Sequence, residues 1–217
     1  MSLPTVAAYP MPQPPTDGLL TWPTDRRRVA LLVHDMQSYF LRPLAFTAPP
    51  FADLLANTLA LRETCHESGI PVLYSVQPGG QAAHERGLLA DRWGPGLSAD
   101  PADTDLPAVL APRPTDHVIV KRRYSAFHGT PLEDALAELG RDQLLICGVY
   151  AHIGVQATAV DAFMRDIKPF VVSDAVAAFS PDQHAMALQY VADWCGRVLS
   201  TEQVRTELRA PQPVLAP

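Results

Sequence analysis

Six short apolar runs, separated by stretches with helical spacing, constrain this chain more than any other feature. They cover 29–34, 72–76, 117–121, 143–148, 169–173 and 197–199. They are rich in Val, Ile and Leu, and most are near-continuously apolar instead of alternating with polar residues. A strand of that kind is buried on both faces, the condition of a parallel sheet covered by helices. The expected covering helices are 51–67, 131–139, 154–167 and 182–194. The expected fold class is therefore α/β: a single-domain, three-layer, Rossmann-like fold with a six-stranded parallel sheet and helices on both faces.

Composition fits one such domain. The chain has 217 residues, 47% of them hydrophobic, with a mean hydropathy of +0.02, enough for one sizeable core. The net charge of -6 argues against nucleic acid or an anionic membrane as partner, but not against a small anion in a pocket with its own local field. Cys65, Cys147 and Cys195 are odd in number and widely spaced, which fits reduced thiols in the cytoplasm better than disulfides or a zinc site. No signal peptide and no membrane-spanning run is expected. Residues 1–28 are proline-rich and are expected to form an extended arm, 29–208 the folded domain, and 209–217 a loose tail. The Gly- and Pro-containing stretch 91–114 reads as a surface excursion. Neither G-x-G-x-x-G nor G-x-x-x-x-G-K-S/T is present, so dinucleotide and P-loop readings lack support.

Open parallel sheets bind ligands beyond the carboxyl ends of their strands. The first run ends in Asp35, the second in Gln77, the third in Lys121 and the fourth in the segment Gly148 to Gly154 that carries Tyr150. A carboxylate, an amide, an ammonium and a phenol thus converge on one rim, and the helix expected from Gly154 would point its positive end there. Each member has a plainer reading. Asp35 could cap a helix or merely pair with Lys121, the run Lys121-Arg122-Arg123 could be a solvated basic face, and Tyr150 could be core. His34 and His152 flank the rim without a second ligand at metal spacing and read as structural. Cys147, inside an apolar run, reads as a buried thiol.

These motifs, in this order, resemble the isochorismatase-like hydrolases. The matching stretches are His34-Asp35-Met36-Gln37, Lys121 with Arg123-Tyr124-Ser125-Ala126-Phe127, Gly148-Val149-Tyr150-Ala151-His152-Ile153-Gly154, the run from Asp161 to Pro169, Trp93-Gly94-Pro95-Gly96, and Phe179-Ser180. Arg122 departs from the pattern, which leads one to expect tryptophan there. The resemblance is to the subgroup that cleaves the enolpyruvyl ether of isochorismate or 2-amino-2-deoxyisochorismate in siderophore or antibiotic biosynthesis. The choice between those two substrates is not legible. The amide-cleaving relatives carry a catalytic cysteine where this chain has Gly154, and glycine offers no nucleophile.

The resemblance implies that Asp35 is the proton donor, that Lys121 orients it and holds a substrate oxygen, and that Gly154 assists through its N–H. It implies further that Gln77, Arg86 and Tyr150 bind carboxylates and the ring substituent, that Phe40, Trp93 and Tyr124 form walls, and that a non-proline cis peptide lies within 148–154. No metal or other cofactor is expected, and a homodimer is. The remaining alternatives are a non-catalytic ligand-binding member of the fold and a cysteine amidase using Cys147.

Overall fold

The structure, a computed structural model, describes residues 3–210. Six strands, β1 (Val29–His34), β2 (Val72–Val76), β3 (His117–Val120), β4 (Gln143–Val149), β5 (Lys168–Ala177) and β6 (Arg197–Leu199), form one all-parallel sheet in the order β3-β2-β1-β4-β5-β6. The expected fold class is the one observed. Alternate residues of β1 face opposite cores. Leu31 and Val33 pack with Leu54 and Leu61 of the helix Phe51–Glu67 and with Val204 and Leu208 of the helix Thr201–Arg209. Ala30 and Leu32 pack with Leu132 and Leu136 of the helix Leu132–Glu138, with Ala159 of Gln156–Phe163 and with Leu188 of Pro181–Trp194. Both faces of the central strands are therefore apolar, which explains the unalternating runs.

Most elements match expectation to within a residue at each end, and the larger departures are local. β5 continues past residue 173 to Ala177, with a shift of its register against β4 between Ile146 and Gly148. The helix expected over 154–167 instead begins with a π-helical turn, Ala151–Val155, and its regular part, Gln156–Phe163, stops short of Ile167. Gly154 thus lies within the opening turn, not at its start. The helix Thr201–Arg209 was not anticipated, and it takes Arg209 out of the expected tail; apart from Ala210, the rest of 209–217 lies outside the described residues. The excursion at 91–114 holds the end of the short helix Leu88–Trp93, the helix Pro101–Thr104 and a 3-10 turn, Ala108–Leu110. β3 is an edge strand whose Val118 and Val120 are exposed, so it is covered on one face only.

Residues 3–28 run without regular secondary structure along the domain. Val6 and Tyr9 are buried, their N–H groups donate to Pro43 O and Pro49 O, and the Tyr9 hydroxyl accepts from the Ala178 N–H at 2.8 Å. Among the described residues no helix is long and apolar enough to cross a membrane.

Candidate active site

Strand register brings the polar residues together. In this strand order the switch point, where successive connections leave in opposite directions, lies between β1 and β4. His34 pairs with Ser75 on one side and with Gly148 on the other, so β1, β2 and β4 end level. The Asp35 N–H donates to Ser75 O at 3.0 Å and the Lys121 N–H to Val76 O at 2.9 Å. Asp35 and Lys121 thereby straddle the end of β2, and their side chains meet across it, Nζ to Oδ2 at 2.8 Å. Asp35 has φ 50°, in the left-handed region that Asp tolerates better than most residues.

The Asp35 carboxylate is 4% exposed and fully engaged: the Ser75 hydroxyl donates to Oδ1 at 2.7 Å, and Gln77 Nε2 donates to Oδ2 at 3.1 Å beside Lys121. Burial works to raise its pKa, but the charge of Lys121 and the hydrogen bonds from Lys121 and Ser75 together outweigh it and hold the carboxyl below its ordinary range. Lys121, 1% exposed, spends its remaining hydrogens on Arg123 O at 2.9 Å and Tyr124 O at 3.2 Å. All three ammonium donors are taken. Gln37 clamps the two turns, accepting from the Gln77 N–H at 2.7 Å and donating to Gln77 O and Thr104 O, each at 2.9 Å.

A cavity with about 530 Å³ of empty space, mouth included, opens over this pair. Asp35, Gln77, Arg86 and Lys121 line it on one side, Tyr150 and Gly154 on the other. Phe40, Trp93 and Tyr124 complete the walls, with Trp93 Nε1 donating to the Tyr124 hydroxyl at 2.7 Å. Every site residue expected from the sequence thus borders one space. Arg86 is 3% exposed; its Nε donates to Gly94 O at 2.8 Å, while its Nη1 has no hydrogen-bond partner. Gly96 makes that seat possible: a Cβ there would lie 2.3 Å from Nη1, and its φ is +73°.

Two expected roles need adjustment. The Tyr150 hydroxyl donates to Phe40 O, and burial, its main cause, pushes the phenol pKa up, so Tyr150 offers the cavity an aromatic face and an acceptor but no free proton. Lys121 has no hydrogen left for a substrate oxygen. Arg122 points outward, about half exposed, with a loose pair to Glu85 at 3.8 Å. The non-proline cis peptide expected within 148–154 is at Val149–Tyr150. Ser75, Leu3, Tyr39 and Ile153 also belong to the site or its walls and were not singled out from the sequence.

His34 is buried and His152 half-buried, and burial keeps both rings neutral. His34 Nδ1 faces Val149 O at 2.8 Å, and burial lowers its pKa to about 4. His152 packs against Phe179 with ring centroids 4.8 Å apart, and burial likewise lowers it to about 4. Cys147 is buried in β4 with Sγ near Leu32 O and its thiol pushed up to about 12; it does not line the cavity. That placement counts against a cysteine mechanism through Cys147. Among the described residues no group of three or more His, Cys, Asp or Glu side chains is placed to hold a metal ion.

The isochorismatase domain model matches residues 29–203. The chain belongs to the isochorismatase family. It is 48% identical over 215 residues to enterobactin synthase component B of Escherichia coli strain K12, covering 98% of this chain and 74% of that protein. It is 48% identical over 204 residues to phenazine biosynthesis protein PhzD1 of Pseudomonas aeruginosa, covering 93% of this chain and 98% of that one. Among solved structures, a cysteine hydrolase from Pseudomonas syringae pv. phaseolicola superimposes with a TM-score of 0.79 at 25% identity, covering 88% of this chain and 97% of that one. This isochorismatase-family hydrolase therefore shares its scaffold with a protein named for a cysteine, while its own three cysteines are all buried.

Proposed function

We propose that this hydrolase cleaves the enolpyruvyl ether of isochorismate or 2-amino-2-deoxyisochorismate, releasing pyruvate and the dihydro-hydroxy or amino-hydroxy ring acid, in secondary-metabolite biosynthesis. The observation that carries the reading is a buried Asp35 anchored by Lys121, Ser75 and Gln77, facing a cavity whose opposite wall presents glycine at position 154.

A vinyl ether resists bases and nucleophiles but takes a proton on its terminal carbon. Asp35 delivers that proton, leaving an oxocarbenium ion. Water adds to the cation and loses a proton, and the hemiketal collapses with its ring oxygen leaving as a hydroxyl. In the ligand-free site Asp35 is held ionised, so the donor must be generated in the complex. A substrate carboxylate brought close to Asp35 offsets the Lys121 charge and favours the protonated form. Lys121 orients Asp35 and balances charge. Arg86, with its unpartnered nitrogen, and the second amide hydrogen of Gln77 receive the carboxylates. Tyr150, Phe40, Trp93 and Tyr124 hold the ring. The chemistry calls for no cofactor or metal.

The same reading makes the working form a cytoplasmic homodimer with neither nucleic acid nor membrane as partner. Exposed Met164, Met186, Tyr190 and Trp194 supply apolar surface for a second copy, which sedimentation would detect. Incubation with each ring acid, coupling pyruvate to lactate dehydrogenase, tests the activity and separates the substrates. Tight binding of both acids without pyruvate would instead mark a non-catalytic ligand-binding member.

A further inference from the structure

Gly154 is not glycine because its backbone demands it. It is absent from the glycines with positive φ, and it sits inside a helical turn, where glycine costs about 1 kcal/mol relative to alanine. Space is what forbids a side chain. A Cβ at this position would lie 2.3 Å from His34 Cε1, 3.0 Å from His34 Nε2 and 3.2 Å from Tyr124 O. Contact at 2.3 Å cannot be absorbed without moving the ring. The ring has little room to move: His34 is fully buried, and its Nδ1–H donates to Val149 O at 2.8 Å. Its Nε2 makes no hydrogen bond of good geometry, although the Tyr124 carbonyl lies near enough to favour the protonated ring. His34 also directly precedes Asp35, with Nδ1 3.8 Å from Asp35 Oδ1. A ring pushed aside at residue 154 therefore pushes on the proton donor.

We propose that His34 is the specificity-determining partner of Gly154. Its ring occupies the volume that the first carbon of any nucleophilic side chain would need at the β4 wall, so residue 34 excludes covalent catalysis from residue 154 and keeps the cavity committed to proton-driven ether cleavage. His34 is a positioning residue that acts through the wall and through Asp35, and the assignment rests on the ether-hydrolase reading. Two positions far apart in sequence then behave as one unit: a side chain at 154 is admitted only when the ring at 34 is removed.

A substitution cycle tests this on the full chain. Gly154→Ala alone lowers the Tm by about 3–10 °C, the range that overfilling a packed site gives in a chain of this size. It also lowers kcat for pyruvate release about tenfold or more at 25 °C, where the variant is still folded, because Asp35 is displaced. In a His34→Val background the same substitution costs less than half that Tm shift, and kcat recovers about tenfold over Gly154→Ala. A purely structural role would restore Tm without moving kcat. Labelling gives an independent readout: iodoacetamide modifies residue 154 in His34→Val/Gly154→Cys, the His34→Val parent fixing the background from the three buried thiols.

Four results overturn the proposal: Gly154→Ala with wild-type Tm and kcat, Tm changes at 34 and 154 that simply add, a double variant that fails to fold, or no labelling above the parent. If the wild-type protein releases no pyruvate, the ether-hydrolase reading falls, while the Tm cycle and the labelling still decide whether the two positions compete for one space.

Discussion

The two sides of the cavity are built from different chemistry. The β1–β3 side carries the ionisable apparatus: Asp35, Lys121 and Gln77, with Ser75 behind them. The β4 side offers Val149, Tyr150, Ile153 and Gly154, with one hydroxyl already committed to Phe40 O. The switch point makes this division natural, because β1 and β4 are neighbours whose following segments diverge to opposite sides of the crevice. One side moves a proton; the other supplies shape. A fold that places a thiol on the second side would have two reactive walls facing each other. Here the second wall is blank, and the reaction must be driven from the first.

The sharpest way to break this comparison is to disable the reactive side. Asp35→Asn keeps the size and most hydrogen bonds of the aspartate, so the protein should fold and bind substrate, while kcat falls by roughly 10²–10⁴, or about 3–5 kcal/mol of barrier. Retention of more than about a tenth of wild-type kcat would assign the proton to another group. Arg86→Ala comes next. A charge-assisted contact is worth about 1.5–3 kcal/mol, so KM should rise about 10–100-fold with kcat nearly unchanged, since a carboxylate contact persists from ground to transition state. A fall in kcat at constant KM would place Arg86 in the transition state. The smallest effect is expected from attacking the blank side: alkylating the folded protein should leave pyruvate release nearly unchanged, because Cys65, Cys147 and Cys195 are buried and burial raises all three thiol pKa values. Complete inactivation, relieved by Cys147→Ser, would restore a thiol mechanism.

The reactive side was more legible in the sequence than the wall. β1, β2 and β6 lie where their apolar runs lie, because strands buried on both faces leave a continuous hydrophobic signal. Residues that follow such strands are then placed by the fold itself, so Asp35, Gln77 and Lys121 could be read off together. Ser75 was hidden as a small hydroxyl inside an apolar strand, although its pairing with His34 puts it directly under the carboxylate. The helix Thr201–Arg209 has only two apolar residues, Val204 and Leu208, facing the core, too few for periodicity to register; its readable signal was the Ser200–Gln203 capping box. Leu3 reaches the cavity through contacts of the arm with distant segments, which no local pattern encodes. Gly154 was recognisable as a missing nucleophile, but the reason for the glycine, the ring of His34, exists only in three dimensions.

The central claim is that Asp35, ionised in the free protein, becomes a proton donor when substrate binds. The pH dependence of kcat beside that of kcat/KM tests it most directly. An acid catalyst works only while protonated, so both quantities should fall as pH rises through its pKa. The free-enzyme pKa is depressed by Lys121 and the site's hydrogen bonds, so the limb in kcat/KM should lie at lower pH than the limb in kcat, which reports the complex. The kcat limb should vanish in Asp35→Asn. A kcat that instead rises with pH, or a profile shared by the wild type and Asp35→Asn, would contradict the account.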